Sequence, residues 1–482
     1  HVLSRRQRQM CIRDRTDGPD FNYYAHVAKF NSIRMSTFRM DRDTRRIAVK
    51  DVSTAFLQAD KYPDETVKYM TLKDPLTHKW RLFKQSGPIY GEKSAQKRWE
   101  DTIAPWYESI GFDRGKNEPS AFYAEDTDTL VLLYTDDNFY DAEESDIVKI
   151  NNLLEDRFEC KDIEWLEPGS ELDYLGLQLF QTSTHIGYYH EKYIFKALQI
   201  IGVPEQAGRC PTPISKQIDD STPALTGHKL KLFPTAVGCF GWTSNTCRPD
   251  ISYAHSRMSQ HLAKPTESAW DAVVRCCNYL RRTADLCIAA PIHPPDQDIT
   301  DPNSADGNYG WEFYSDSDFA GNSEEQNKRR SQNGFIATLN GAPVLWGSKV
   351  SSVAFAHPDI GEAHADISSG AAEVYAAGNA TFEFLHLSYT ADEMNINFPK
   401  PIIMQVDNKA AIAFSDNSAF KTKLKHIDVR QKWVQTLRDK DIIDTKYVRS
   451  EDNLADLFTK ILDEHTFTKL RDRIMKRRST VQ

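Results

Sequence analysis

Two adjacent aspartates, with a third one upstream, are the residues of this sequence best suited to chemistry. Asp136 and Asp137 directly follow the strand-like run Leu130–Tyr134, and Asp51 lies at the end of the strand-like run Ile47–Val52. Three carboxylates at strand ends suit two divalent cations about 3.5 to 4 Å apart. Mg²⁺ or Mn²⁺ prefers such oxygen ligands, and Mg²⁺ leaves positions open for substrate phosphates. Because Asp-Asp pairs are also common in solvated turns, the pair alone decides nothing.

A second acidic set lies more than a hundred residues downstream. Its members fall at two strand ends, in a helix and near the start of a final helix: Asp316, Asp407, Glu373 and Asp456. Asp318 is the alternative to Asp316, and Asp316 is favoured because it lies nearer the strand end. Two cations held by this set could activate a water for in-line attack on a phosphodiester.

The elements around the first set predict an α+β domain. Helical spacing follows Asp51 over Ser53–Asp60 and recurs over Ile147–Phe158. A hairpin within residues 172–189 precedes a helix over 191–201. Residues 210–233 are rich in Pro, Thr, Ser and Lys, which indicates a connector.

The second set requires another arrangement of elements. Helices are predicted over Tyr253–Leu262 and Ser268–Arg282, followed by a linker dense in Pro and Asp over 291–308. A three-stranded meander, a helix over Ser369–Leu387, a strand at 402–407 and further helices then give the order β-β-β-α-β-α with a terminal helix.

Composition limits the classes of protein that the chain can belong to. At 482 residues the chain is long enough for about three domains, and its net charge of −9 argues against a general nucleic-acid binder, so basic contacts must be local. The eight cysteines lack C-x-x-C spacing, which argues against a zinc knuckle and against a disulfide framework. No apolar run is long enough for a membrane span, so we expect an intracellular protein without a membrane partner.

Short motifs follow one another in a fixed order from about Gly18 to Phe467. They are Asp51-Val52-Ser53-Thr54-Ala55-Phe56-Leu57, Ile89–Trp99, Tyr134-Thr135-Asp136-Asp137, Tyr174-Leu175-Gly176, Thr212-Pro213 and Thr246–Ile251, followed by Tyr314–Asp318, Ala372–Ala376, Val406–Asn408 and Asn453–Asp456. In this order they resemble the reverse transcriptase and ribonuclease H region of copia-type LTR retrotransposon Pol polyproteins. The Tyr-Thr-Asp-Asp motif disfavours a cellular nuclease of the ribonuclease H type.

The resemblance implies an RNA-directed DNA polymerase joined to a ribonuclease H, with Mg²⁺ or Mn²⁺ at both sites. The implied catalytic and metal-binding residues are Asp51, Asp136 and Asp137 for polymerisation and Asp316, Glu373, Asp407 and Asp456 for hydrolysis. The implied partners are an RNA template, a DNA primer, deoxynucleoside triphosphates and an RNA–DNA hybrid. The implied location is a cytoplasmic virus-like particle, the nucleus or both, and the oligomeric state stays open.

The same resemblance implies five substrate-binding residues. Phe56 would lie against the sugar of an incoming nucleotide and exclude a 2′-hydroxyl; the alternative is a core aromatic at a strand-to-helix junction. Tyr90, Gly91 and Lys93 belong to the motif that positions template and nucleotide, and Tyr134 precedes the acidic pair. Glu92 stands where the family usually has an apolar residue.

The expected fold is an α+β multidomain chain. It comprises a palm-type polymerase domain with truncated fingers, a helical connection region, and a ribonuclease H-like mixed sheet with helices. The expected boundaries are 1–17 unassigned, 18–205 fingers remnant and palm, 206–300 thumb or connection region, 308–470 ribonuclease H-like domain, and 471–482 basic tail.

Two departures from the family pattern support an alternative function. The basic fingers region upstream of Gly18 is expected to be missing or replaced. Phe355–Ile367 is an additional segment, whose Glu362, His364 and Asp366 are expected in a solvated loop, and His426 is expected to be structural. The alternative is therefore a truncated, inactive retrotransposon remnant that keeps the fold and at most binds nucleic acid.

Overall fold

A computed structural model describes most of the chain in eight stretches. These are residues 22–39, 44–63, 68–74, 76–292, 310–318, 331–351, 369–408 and 433–481. The expectations for residues 1–17, for Phe355–Ile367 with its three polar residues, for His426 and for most of the 291–308 linker fall outside these stretches. Of the helices in the described stretches, none has the length and apolar character to cross a lipid bilayer.

The chain forms two compact units. Among the described residues, the first contains those up to Ser36, those from 44 to Trp165, and Asp392–Ile396. Its elements in chain order are most of α1 (Phe30–Phe38), β1 (Arg45–Asp51), α2 (Ala55–Gln58), β2 (Lys68–Lys73), β3 (Trp80–Gln85), α3 (Ala95–Ser109), β4 (Asp113–Arg114), β5 (Ala121–Ala124), β6 (Thr129–Tyr134), β7 (Asp137–Glu143), α4 (Glu144–Arg157) and β8 (Glu164–Trp165).

An antiparallel six-stranded sheet, ordered β4-β5-β6-β7-β1-β8, is the centre of the first unit. Strand alternation sets its two faces. Ala48 of β1 and Tyr140 of β7 pack with α3 and α4 in one apolar core that includes Trp99. The odd-numbered residues of β1 and β7 alternate with these and therefore lie on the face away from the helices. They include Asp51 and Asp137. The hairpin β2–β3 forms a separate two-stranded sheet.

Among the described residues, the second unit contains those within Leu166–Ala391, those from Asn397 to 481, and 37–39. Its described elements are β9 (Glu171–Tyr174), β10 (Leu177–Gln181), β11 (His185–Tyr189), α5 (Glu191–Ile201), α6 (Gly227–Thr246), α7 (Ser252–Ser259), α8 (Glu267–Arg282), β12 (Leu286–Pro291), β13 (Trp311–Asp318), β14 (Gln332–Leu339), β15 (Ala342–Val350), α9 (Ser369–Glu393), β16 (Ile402–Val406), α10 (433–439), β17 (Ile443–Tyr447), α11 (Glu464–Ile474), β18 (Lys476–Arg477) and α12 (Arg478–Val481). Short 3₁₀ helices cover Glu125–Thr127 in the first unit and Pro249–Ile251, Ser450–Asp452 and Leu454–Phe458 in this one.

The described part of the second unit contains two five-stranded sheets. One is antiparallel and runs β18-β12-β11-β10-β9, and the other runs β15-β14-β13-β16-β17. In the latter, β13, β14 and β15 are an antiparallel meander, while β16 pairs parallel with both β13 and β17. The expected α+β multidomain class with a mixed sheet is thereby confirmed.

Three stretches near the expected domain limits form regular, packed structure. The two compact units divide at Trp165, and β11 pairs with β12, which ties residues 185–189 to 287–291 within the second unit. The expected basic tail is packed: β18 pairs with β12, and Val481 is buried. The expected connector over 210–233 ends early, since α6 already begins at Gly227.

The expected element order of the last domain missed one strand. β17 follows α10 and pairs along its whole length with β16, from Ile402–Ile443 to Val406–Tyr447. Only Ile443 and Tyr447 of its five residues are apolar, and the edge position of the strand leaves Lys446 and Tyr447 exposed. A strand at a sheet edge needs no continuous apolar run, so periodicity did not detect it.

Candidate active sites

The first acidic set is positioned by strand register. Asp51, the last residue of β1, lies directly opposite Asp137, the first residue of β7. Asp136 occupies the turn between β6 and β7, and its carbonyl accepts a hydrogen bond of 2.9 Å from the amide of Val52, which extends the pairing beyond the strand. Three carboxyl groups far apart in sequence thus meet at one end of the sheet.

The turn that carries Asp136 is held from both sides. Thr135 has φ 60°, a left-handed conformation that β-branched residues adopt only at a cost of about 1 to 3 kcal/mol. The indole Nε1 of Trp99 on α3 donates to the Thr135 carbonyl at 2.7 Å. The amide nitrogen of the Asn138 side chain donates to the carbonyls of Lys50, at 3.1 Å, and Asp136, at 3.3 Å. These contacts compensate the strain and fix the turn.

Charge repulsion among these carboxyls is partly offset by a lysine. Burial raises the pKa of Asp137 to about 7, with further contributions from the charges of Asp136 and Asp51. Burial also raises the pKa of Asp136, and the Asp51 charge adds to that rise. The Nζ of Lys161 lies 2.9 Å from Oδ2 of Asp51 and opposes both rises. Such a set fits a divalent cation, which would relieve the repulsion.

The residues expected to bind nucleotide lie at the start of α2 and before α3. The rings of Phe56 and Tyr90 have centroids 4.8 Å apart, and Phe56 also packs against the apolar core of the sheet. Both interpretations of Phe56 are therefore compatible with its position. Gly91 has φ 94°, which a side chain would disfavour, and Lys93 is exposed. Tyr134 is half-buried at the end of β6.

Glu92, the departure from the family pattern, is fully engaged. Its carboxylate accepts from the hydroxyl of Tyr62 at 2.7 Å and from the amide nitrogen of Gln85 at 2.8 Å, and it pairs with Lys68. Burial raises the pKa of Glu92, but the bonds from Lys68, Tyr62 and Gln85 outweigh burial and lower it. This network ties the β2–β3 hairpin to the turn before α3, so the charged residue has a structural role here.

The second acidic set lies at the carboxyl ends of two parallel strands. β13 and β16 pair in the register Tyr314–Gln405, so Asp316 and Asp407 stand two residues further on at the same level. Glu373 on α9 completes a group whose carboxylate oxygens all lie within 4.8 Å of one another. Among the described residues, Asp51, Asp136 and Asp137 do not form a group that meets this 4.8 Å limit.

Burial and mutual repulsion dominate the electrostatics of this second set. Burial raises the pKa of Glu373 to about 9, and the charges of Asp316 and Asp407 add to the rise. Burial likewise raises the pKa of Asp456 to about 8, with Asp316 as the next cause. Asp407 accepts a hydrogen bond of 2.7 Å from the hydroxyl of Ser450. Because these carboxylates repel one another, binding of a cation among them would be favourable.

Sequence reasoning missed three residues beside this set. Thr459 donates its hydroxyl to Oδ2 of Asp316, and Lys460 lies between two of the carboxylates. Gly334, opposite Asp316 on β14, lets the segment Leu454–Thr459 approach: a Cβ at Gly334 would lie 2.7 to 2.9 Å from its atoms. The signal in the sequence was the Thr459-Lys460 pair, three and four residues after Asp456.

The structure arranges the expected site residues in two groups. Asp51, Asp136 and Asp137 share one end of the first unit's sheet, while Asp316, Glu373 and Asp407 form the close set in the second. Asp456 lies beside that close set and is not among the three residues whose oxygens are mutually within 4.8 Å. Asp318, the alternative to Asp316, is half-buried one alternation further along β13 and is also outside the set.

Comparison with known proteins shows which sequences the chain is similar to. Residues 12–216 match the family described as reverse transcriptase (RNA-dependent DNA polymerase). The Pol polyprotein of transposon TNT 1-94 from Nicotiana tabacum is 25% identical over 464 residues, which is 93% of this chain and 32% of that protein. The chain is similar over most of its length to Pol polyproteins of copia-type retrotransposons. The resemblance stated from the motifs is confirmed.

Further relatives agree with this assignment. The Pol polyprotein of transposon RE1 from Arabidopsis thaliana is 27% identical over 497 residues, covering 98% of this chain and 30% of that protein. The chain thus spans about a third of the length of these curated relatives. A foamy viral protease-reverse transcriptase in complex with an RNA/DNA hybrid superposes with a TM-score of 0.48 at 12% identity, covering 91% of this chain and 48% of that chain. That likeness is too distant to bear on fold or function.

Proposed function

We propose that this chain is an RNA-directed DNA polymerase with an associated ribonuclease H, using Mg²⁺ or Mn²⁺ at both sites. The observation that carries the polymerase assignment is the pairing of Asp51 with Asp137 across β1 and β7, inside the segment that matches the reverse transcriptase family. The close set of Asp316, Glu373 and Asp407 supports the ribonuclease H assignment.

At the polymerase site the carboxylates of Asp51, Asp136 and Asp137 would hold the divalent cations. Such cations lower the pKa of a primer 3′-hydroxyl and neutralise the triphosphate. Trp99 keeps the turn that carries Asp136 in place. The Phe56 ring would exclude a 2′-hydroxyl and so select deoxynucleoside triphosphates, while the exposed ammonium of Lys93 is free to contact phosphates of the RNA template or DNA primer.

At the ribonuclease H site the close set would hold the cation against the scissile phosphate. Asp316 and Asp407 present their carboxylates from adjacent strand ends, and Ser450 orients the carboxylate of Asp407. An RNA–DNA hybrid would be recognised by backbone shape and 2′-hydroxyls. We place both activities inside the cell, in a virus-like particle or the nucleus.

Two assays on the purified chain test this function. Primer extension on poly(rA)–oligo(dT) and cleavage of a labelled RNA–DNA hybrid are each run with Mg²⁺, with Mn²⁺ and with EDTA. Asp136→Asn should abolish extension alone, and Asp407→Asn should abolish cleavage alone. One substitution that silenced both activities would contradict the two-site assignment, and the absence of any metal-dependent product would exclude the enzyme.

The alternative, an inactive remnant that binds nucleic acid, is favoured by one observation. The Lys161 ammonium pairs with Asp51 and so engages one of the carboxylates that a cation would need. Filter binding of the labelled hybrid discriminates the two functions: salt-sensitive binding without extension or cleavage indicates the remnant.

A further inference from the structure

A lysine lies inside the second acidic set. The Nζ of Lys460 is 2.9 Å from Oδ1 of Asp456 and 3.5 Å from Oδ2 of Asp316. The two carboxylates are 7% and 2% exposed, whereas Lys460 is 34% exposed, so its ammonium reaches inward from the rim. Exposed ion pairs contribute little, but a cation that bridges two buried carboxylates is much less screened.

The backbone fixes this position. Asn453 is buried and donates its side-chain amide to the carbonyl of Ser315 on β13, while its side-chain oxygen accepts from the amide of Ala455. The hydroxyl of Ser348 on β15 donates to the carbonyl of Phe458 at 2.6 Å. Segment 453–460 is therefore anchored to two strands, and the four-residue spacing of Asp456 and Lys460 aims both side chains at Asp316.

We propose that the ammonium of Lys460 competes with the second divalent cation of this site. Its ammonium stands between Asp456 and Asp316, where a second cation next to the close set would need its ligands. The resting site then binds one divalent cation at Asp316, Glu373 and Asp407, and a second enters only when the ammonium moves away. This inference rests on the metal site of the proposed function.

The reason is electrostatic. An ammonium and a divalent cation repel each other strongly at a few ångströms in a partly buried site. Removing the ammonium should leave Asp456 available as a ligand and lower the second dissociation constant by about tenfold or more. The first dissociation constant should change less, because Asp316 is the one of its three ligands that pairs with Lys460, and at 3.5 Å this contact is longer than the one to Asp456.

Mn²⁺ titration followed by electron paramagnetic resonance tests the proposal without an activity readout. The full chain carries Asp136→Asn and Asp137→Asn, so that the polymerase site contributes little. Lys460→Met should bind the second Mn²⁺ about tenfold more tightly than the parent, and Lys460→Arg should restore the parent behaviour. Lys469→Met is the matched control, since Lys469 pairs with Asp452 outside the set.

Each outcome decides one question. Equal second constants in Lys460→Met and the parent overturn the role of Lys460, even if the melting temperature falls, because that fall alone indicates a structural ion pair. Absence of Mn²⁺ binding at this site in every variant, including the parent, overturns the metal site of the proposed function itself. If Lys460→Met does not fold, Lys460→Gln carries the same comparison.

Discussion

The close approach at Gly334 makes a prediction that can be worked out from distances. In Gly334→Ala the added Cβ would lie 2.7 Å from Cγ2 of Thr459, 2.8 Å from Cβ of Phe458 and 2.9 Å from the carbonyl oxygen of Ala455. Two of these atoms belong to backbone or to the first side-chain carbon, so they cannot rotate away. Segment 454–459 must shift as a whole.

The expected cost follows from these contacts. Overpacking of this kind destabilises by about 1 to 3 kcal/mol. At about 2 to 4 °C per kcal/mol for units of this size, a 2 kcal/mol loss lowers the melting temperature by about 4 to 8 °C. Because the shifted segment carries Asp456 and Lys460, hybrid cleavage should fall while primer extension is retained.

Calorimetry with both activity assays provides the measurement. Gly238→Ala is the matched control, because a Cβ at Gly238 in α6 meets nothing within 4 Å and should leave the unit unchanged or stabilise it by about 0.5 to 1 kcal/mol. An unchanged melting temperature and full hybrid cleavage in Gly334→Ala would refute the close-approach argument.

Three further predictions concern the first unit's turn, a buried ion pair and pH. Trp99→Phe removes the hydrogen bond to the Thr135 carbonyl and should lower primer extension up to about tenfold, with hybrid cleavage in the same preparation unchanged. Asp250→Ala leaves the fully buried guanidinium of Arg248 without its carboxylate and should cost about 3 to 5 kcal/mol in urea unfolding; a loss under about 1 kcal/mol would contradict this. In EDTA, the pKa of Asp137 is about 7 in the folded chain, against an ordinary value of 3.8. The folded state therefore binds this proton more tightly than the unfolded state does. The stabilisation that this group provides is lost as the pH rises from about 4 to about 7. Asp137→Asn should flatten that part of the melting temperature profile between pH 4 and 8, and identical profiles would show that burial does not perturb this group.

Several features were predictable from the sequence because they depend on neighbours along the chain. The apolar run before Asp136 and the turn position of the pair follow from local periodicity, and β6 ends at Tyr134 as expected. The helix over Glu191–Ile201 ends at Gly202, whose φ of 68° is the common way to close a helix. Local patterns fail at an edge strand such as β17, which buries little surface.

The sequence by itself determined the types of catalytic candidates, their places at strand ends and the family that their motifs resemble. The tertiary structure alone decided which of them meet: Asp51 opposite Asp137, Asp316 level with Asp407, and Asp456 held beside them by Lys460. The physical reason is that sheet register and close approach join residues separated by tens to hundreds of positions. Burial then shifts their pKa values, and no local pattern encodes that combination.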